Sequence, residues 1–178
     1  MAAKWGLPVA DKAESQEICF IPDDDYHRFL RERLPSEPGE IFDSQGRRLG
    51  THQGIAFYTV GQRHGLGLAS GQRLYVTDID AKRNALVVGP ENELRGDSLC
   101  ACAVNYVSGE ASDGPTAISA KIRYRSPEAS ATLLPQGQRA LVLFGQPQRA
   151  ITAGQAVVFY RGESVLGGGI IEGKSVKL

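Results

Sequence analysis

Cysteine is scarce in this sequence: Cys19, Cys100 and Cys102 are the only three in 178 residues. So odd and sparse a set excludes a disulfide framework. It gives no metal centre either. Cys100-Ala-Cys102 lacks a second ligand pair, and His27, His52 and His64 follow no ligand spacing. Long apolar runs are also missing. No stretch approaches the roughly 18 apolar residues that span a bilayer, and the first residues, Met1-Ala-Ala-Lys-Trp-Gly-Leu-Pro8, hold no apolar core of signal-peptide length. A cytoplasmic chain with no membrane partner is expected. Net charge is absent as well: 20 Lys and Arg balance 20 Asp and Glu. The molecule as a whole therefore lacks the excess positive charge of a general polyanion binder.

What is present fits a folded protein of one ordinary domain or two small ones, with 42% hydrophobic and 22% charged residues. The charges are unevenly placed. Between positions 121 and 155 stand Lys121, Arg123, Arg125, Arg139 and Arg149 against the single acid Glu128, whereas the first 70 residues lean slightly acidic. Either this is a local cationic surface, or the charges only solvate strands.

Lys4-Trp5-Gly6-Leu7-Pro8 reads as a helix stop, a Gly suited to the left-handed end and then a Pro that cannot continue. Little helix precedes it, so a truncation upstream is expected. Asp23 is expected to cap a helix of about ten residues, with Asp24 and Asp25 in its first turn. Tyr26, Phe29, Leu30 and Leu34 share one face at helical spacing. Residues 39–50 read as a β-hairpin about Ser44-Gln-Gly46. From Arg73 onward the pattern is strands: 74–79 and 85–88, then 100–107, 118–124, 129–134, 139–144, 156–160 and 165–171. Turn signals recur at the spacing of a small antiparallel barrel or sandwich. The expected fold is mainly β: a small central α+β linker domain over 1–70, then an antiparallel β-barrel over 71–178, similar to the second domain of translation factors.

Several residues can carry chemistry. Cys19, in Glu14-Ser-Gln-Glu-Ile-Cys-Phe-Ile-Pro22, is either a small core hydrophobe or a nucleophile, which needs an accessible thiolate. Cys100 and Cys102 lie two apart on a strand and share a face, which packing explains. Gly61-Gln-Arg-His-Gly-Leu-Gly67 is a glycine-rich loop holding the cation Arg63. Its amides can cradle a phosphate, or it is simply a turn. It lacks the Lys-Ser/Thr ending of a nucleotide-binding P-loop. In Lys121-Ile-Arg-Tyr-Arg125 the three cations alternate with Ile122 and Tyr124 and would share one strand face. Such a row can track a phosphate backbone while Tyr offers a stacking surface; a solvated strand face gives the same pattern. Gly167-Gly-Gly169 points to a bulge or a close backbone approach.

Taken in order, these segments resemble the tRNA-specific 2-thiouridylase family (MnmA/TrmU). The resemblance is carried by Ala10-Asp-Lys-Ala-Glu-Ser-Gln-Glu-Ile-Cys-Phe-Ile-Pro22, Gly50-Thr-His-Gln-Gly54, Tyr58-Thr-Val-Gly-Gln-Arg-His-Gly-Leu-Gly67, Lys121-Ile-Arg-Tyr-Arg125, Gly154-Gln-Ala-Val-Val-Phe-Tyr160 and Leu166-Gly-Gly-Gly-Ile170. It implies an enzyme that replaces O2 of the tRNA wobble uridine with sulfur. Cys19 then matches the persulfide-bearing cysteine, Arg123 and Tyr124 the Arg-Tyr tRNA contact, and Gln155 another tRNA-contacting position. Lys121, Arg125 and Arg63 join them as cations toward RNA. The partners implied are tRNAs for Lys, Glu and Gln, and a cysteine desulfurase or sulfur-relay protein as donor.

The family's cofactor is ATP with Mg, held by a Ser-Gly-Gly-x-Asp-Ser loop in an N-terminal domain. No such loop occurs in these 178 residues, nor does that domain's partner cysteine, and His64 stands where Lys is common. The chain thus resembles the family's central and C-terminal domains alone, expected to be inactive by itself and to hold no cofactor. Two other functions remain open at this point, a non-enzymatic RNA- or ribosome-binding barrel and a protein-interaction module.

Overall fold

The unit formed by Met1–Ser36 carries a short 3-10 helix, Ala3–Trp5, and one α-helix, α1, Tyr26–Arg31. The computed structural model describes residues 3–5, 21, 25–34, 36–124 and 126–174. Asp25 caps α1, its carboxylate accepting the Arg28 amide at 2.9 Å. The expected ten-residue helix capped by Asp23 is therefore corrected to six residues capped by Asp25. A carboxylate that accepts an amide three residues on sits before the first turn, not inside it. Leu34, expected on the apolar face, lies past the helix and is exposed, and the proline that follows it in sequence disfavours further helix.

The second unit, Glu37–Leu178, contains two β-structures. The first is a four-stranded sheet of β1 (Gly39–Asp43), β2 (Arg48–His52), β3 (Tyr75–Asp80) and β4 (Ala85–Gly89), in the order β2-β1-β4-β3. The β1–β2 hairpin turns where expected. The Asp43 carboxylate accepts the amides of Gln45 and Arg47 and pairs with Arg47 Nε at 2.7 Å. These donors, the Arg47 amide foremost, hold its pKa below the ordinary carboxylate value. β4 then runs parallel to β1, with Ile41 opposite Leu86. Ile41, Leu66, Val76, Leu86 and Val88 form the core, with Ile55, Tyr58 and Leu68 packed on it from the connection between β2 and β3. The strands at 75–80 and 85–89, assigned from sequence to the barrel side of a 70/71 boundary, thus hydrogen-bond within this first sheet. Their alternation is the same in either partner sheet, so pattern alone could not place them.

His52 is buried at the end of β2. Its Nδ1 accepts the Gly54 amide at 3.0 Å, and its Nε2 lies 3.1 Å from the Asn84 carbonyl, so the proton sits on Nε2. Gly39 faces this pair. A Cβ there would stand 2.0 Å from the Asn84 oxygen and 2.6 Å from His52 Nε2.

A short 3-10 helix, Glu91–Leu94, leads directly into β5. Leu94 is fully buried, its carbonyl accepts the Ala150 amide at 2.8 Å, and the Glu93 carbonyl accepts Lys174 Nζ at 2.8 Å. The second structure is a closed barrel of β5 (Arg95–Tyr106), β6 (Thr116–Lys121), β7 (Ala129–Gln136), β8 (Arg139–Arg149), β9 (Ala156–Arg161) and β10 (Ser164–Lys174), ordered β10-β5-β8-β7-β6-β9. Every neighbouring pair is antiparallel. Alternate residues point inward: Leu99 and Ala101, Ile118, Leu133, Val142 and Phe159 are core, while Cys100 and Cys102 are half-buried free thiols on the other face of β5. The glycine triplet has the role its sequence implied. A Cβ at Gly167 would meet Asn105 O at 2.3 Å, and one at Gly168 would meet Val157 O at 2.6 Å. The register shifts on either side of this pair of residues.

Candidate nucleic-acid interface

β6 ends at Lys121, three residues before the expected end. Ser126 explains the stop. Its amide and hydroxyl both take the Arg123 carbonyl, at 3.2 and 2.9 Å, and close a turn where a strand would continue. The row of three cations on one strand face is therefore corrected. Arg123 and Tyr124 belong to the turn, and Arg125 lies outside the described residues.

The turn brings residues together in another way. Ile122 plugs the barrel core, and Arg123 is half-buried. Arg123 Nε donates to Gln155 Oε1 at 3.3 Å, and Nη2 donates to the Ala150 carbonyl. Burial, with the neighbouring Arg149 charge, pulls the Arg123 pKa below its ordinary value, although a guanidinium stays charged at neutral pH. Among the described residues, these bonds engage two of its five donors. Gln155 reaches this point because the turn after Thr152 is tight. Gly154 has a φ of +83°, and Ile171 donates its amide to the Gln155 carbonyl at 2.8 Å. Arg123 and Gln155, 32 positions apart in sequence, thus meet directly. Tyr124 is 78% exposed, with Lys121 Nζ 5.9 Å over its ring. Cation and ring together offer a surface on which a base can stack beside a phosphate.

Arg63 is exposed on its own loop. That loop is pinned to β3: the Gly61 amide donates to Val76 O at 2.7 Å and Val76 donates to Gln62 O at 2.9 Å. The Gln62 amide takes Thr59 O, and the Gln62 side chain donates to His64 O at 3.0 Å. The first two amides of the loop are thus taken, and Leu66 runs into the sheet core. The Gly61 and Gln62 amides are therefore not free to form a cradle, and no helix follows the loop. Among the described residues, no group of three or more His, Cys, Asp or Glu side chains is placed to hold a metal, and no helix is long and apolar enough to cross a membrane. Cys19 lies outside the described residues.

Sequence comparison bears on the whole arrangement. Residues 27–90 match the model of the tRNA methyl transferase PRC-barrel domain, and residues 96–171 that of the aminomethyltransferase beta-barrel domain. A tRNA-specific 2-thiouridylase of Pelotomaculum thermopropionicum is 54% identical over 97% of this chain and 48% of its own length. Those of Heliobacterium modesticaldum and Moorella thermoacetica are each 50% identical, over 96% and 97% of the chain and 46% and 49% of their own lengths. The chain belongs to the tRNA-specific 2-thiouridylase family. It spans about half the length of the curated thiouridylases it matches. The two matched domains part between residues 90 and 96, where the 3-10 helix joins sheet to barrel.

One further cation lies beside these residues. Arg149 ends β8 with its Nε 3.2 Å from Glu91 Oε1 and its guanidinium carbon 5.6 Å from the centre of the Tyr75 ring. The only sequence signal for it was the excess of cations between 121 and 155.

Proposed function

We propose that this chain supplies the tRNA-gripping surface and the sulfur-bearing thiol of a 2-thiouridylase acting on the wobble uridine of tRNAs for Lys, Glu and Gln. The observation that carries it is the anchored Arg123: a half-buried cation tied to Gln155 and Ala150, next to the exposed Tyr124 over Lys121. A fixed guanidinium beside a stacking ring binds phosphate and base together at little cost in ordering. Lys121, Arg125 and Arg63 add charge toward the RNA. Cys19 is assigned the persulfide. A persulfide sulfur is a strong nucleophile at neutral pH, suited to attack C2 of uracil once its oxygen has been made a leaving group.

That activation is assigned to residues beyond these 178, because no Ser-Gly-Gly-x-Asp-Ser loop is among them. This chain alone is therefore proposed to be inactive, with neither ATP binding nor ATP hydrolysis. The sulfur is proposed to come from a cysteine desulfurase or relay protein, and the setting to be the cytoplasm, where tRNA is modified.

Binding is tested with an unmodified tRNA transcript titrated at several salt concentrations. Arg123→Ala should weaken affinity about tenfold or more, in line with about 1.5–3 kcal/mol for a hydrogen bond to a charged group, and should flatten the salt dependence. Equal affinity of variant and wild type would remove this surface from RNA binding. Chemistry is tested by Cys19→Ser in a thiouridylase of full family length carrying this chain. Loss of 2-thiouridine with unchanged tRNA affinity is expected. Retained thiolation would take Cys19 out of the mechanism, and a protein indifferent to Cys19 alkylation in every assay would be a binding barrel only.

A further inference from the structure

We propose that Arg149 is a phosphate-contacting residue of the interface, paired with Arg123, and that Glu91 is the carboxylate it exchanges for RNA. The proposal rests on the RNA-binding role assigned to this face. Four segments distant in sequence converge at Arg149. The Arg123 guanidinium is bonded to the carbonyl of Ala150, the very next residue. A Cβ on Gly61 would lie 3.3 Å from Ala150 Cβ and 3.9 Å from Arg149 Nη1, so the loop bearing Arg63 abuts the same spot. Glu91, on the 3-10 helix between sheet and barrel, holds Arg149 Nε at 3.2 Å. Tyr75, at the start of β3, underlies the guanidinium.

Two guanidiniums held near one another repel unless an anion lies between or beside them. The backbone fixes this closeness: Ala150 adopts a left-handed φ of +53° and donates its amide to Leu94 O at 2.8 Å. Thr152 Oγ1 donates to the same Ala150 carbonyl at 2.9 Å. Arg149 thus lies close both to Arg123 and to Gly61, the first residue of the loop that carries Arg63. Its bond to Glu91 is the kind that exchanges. The side chains are 43% and 58% exposed, and an exposed ion pair is worth at most about 1 kcal/mol. A backbone phosphodiester carries the same single negative charge and likewise accepts a guanidinium bidentately.

The test uses the whole 178-residue chain and an unmodified tRNA transcript, with affinity measured across salt concentrations. Arg149→Gln should weaken binding several-fold at low salt and reduce the slope of log affinity against log salt by about 0.7–0.9, the amount carried by one phosphate contact. Glu91→Gln should tighten binding two- to fivefold, and should do nothing in the Arg149→Gln background. Arg139→Gln, at the opposite end of β8, should match wild type. If Arg123→Ala weakens binding and Arg149→Gln does not, the proposal is wrong and the interface stands. If neither matters, the interface itself is wrong. If Arg149→Gln fails to fold by circular dichroism, Glu91→Gln decides alone: tightening supports the exchange, and unchanged or weaker binding overturns it.

Discussion

The four-stranded sheet and the barrel solve the same problem differently. The barrel closes on itself, so no strand edge is left unpaired. Its weak points are places where backbones crowd, as at Gly167 and Gly168. The sheet stays open, joins β1 to β4 in parallel across a connection of about forty residues, and is held at one corner by a single buried histidine. A closed frame keeps loop ends in fixed places, and the candidate interface sits on such ends, after β6 and β8 and before β9. The open sheet supplies what a barrel cannot, a long loop laid against the barrel at Ala150.

That contrast can be broken first in the barrel. Gly167→Val places a side chain within 2.3 Å of Asn105 O, and no flexible group is there to yield. A loss above about 3 kcal/mol is expected, the range of severe overpacking. It is read by urea unfolding with hydrogen exchange at β1 and β4. If those amides stay protected while the barrel exchanges, the two structures fold independently; joint exposure shows one cooperative unit.

In the sheet, His52→Ala leaves the Gly54 amide and the Asn84 carbonyl without their partner. A loss of about 2–4 kcal/mol follows from unsatisfied buried groups and the cavity, and a change in melting temperature checks it. A neutral outcome would show that water replaces the ring. The smallest effect belongs to Asp43. Its folded pKa lies below the unfolded value near 3.8, so it stabilises the hairpin above that value. The contribution is lost as pH falls through the folded pKa. Wild type should lose more stability than Asp43→Asn between pH 5 and pH 2, and parallel melting curves over that window would sink the assignment.

How far the sequence could be read follows the same division. Period-two alternation and turn residues marked every barrel strand, because in a closed antiparallel barrel each strand has one wet face and one dry face. The glycine triplet was legible because crowding excludes every other residue type. The parallel partnership of β1 and β4 left no mark, since it is decided by the neighbours and not by the strand itself. The end of β6 was misjudged because Lys121-Ile-Arg-Tyr-Arg125 keeps perfect alternation while Ser126 folds the chain back. Arg123, Tyr124 and Gln155 came from family resemblance, and the structure shows Arg123 bonded to Gln155. Arg149 showed only as one of five cations between 121 and 155, because its three neighbours, Glu91, Tyr75 and Gly61, come from other parts of the chain.

The passage from sheet to barrel is four residues of 3-10 helix, with Leu94 sunk in the interior, its carbonyl tied to Ala150 and that of Glu93 tied to Lys174. These ties fasten the joint to the barrel at two points, Ala150 and Lys174, so the direction in which β4 hands over to β5 is set by contacts with the barrel itself. Grafting a different barrel onto this sheet would succeed only if the new module arrived with the same screw angle.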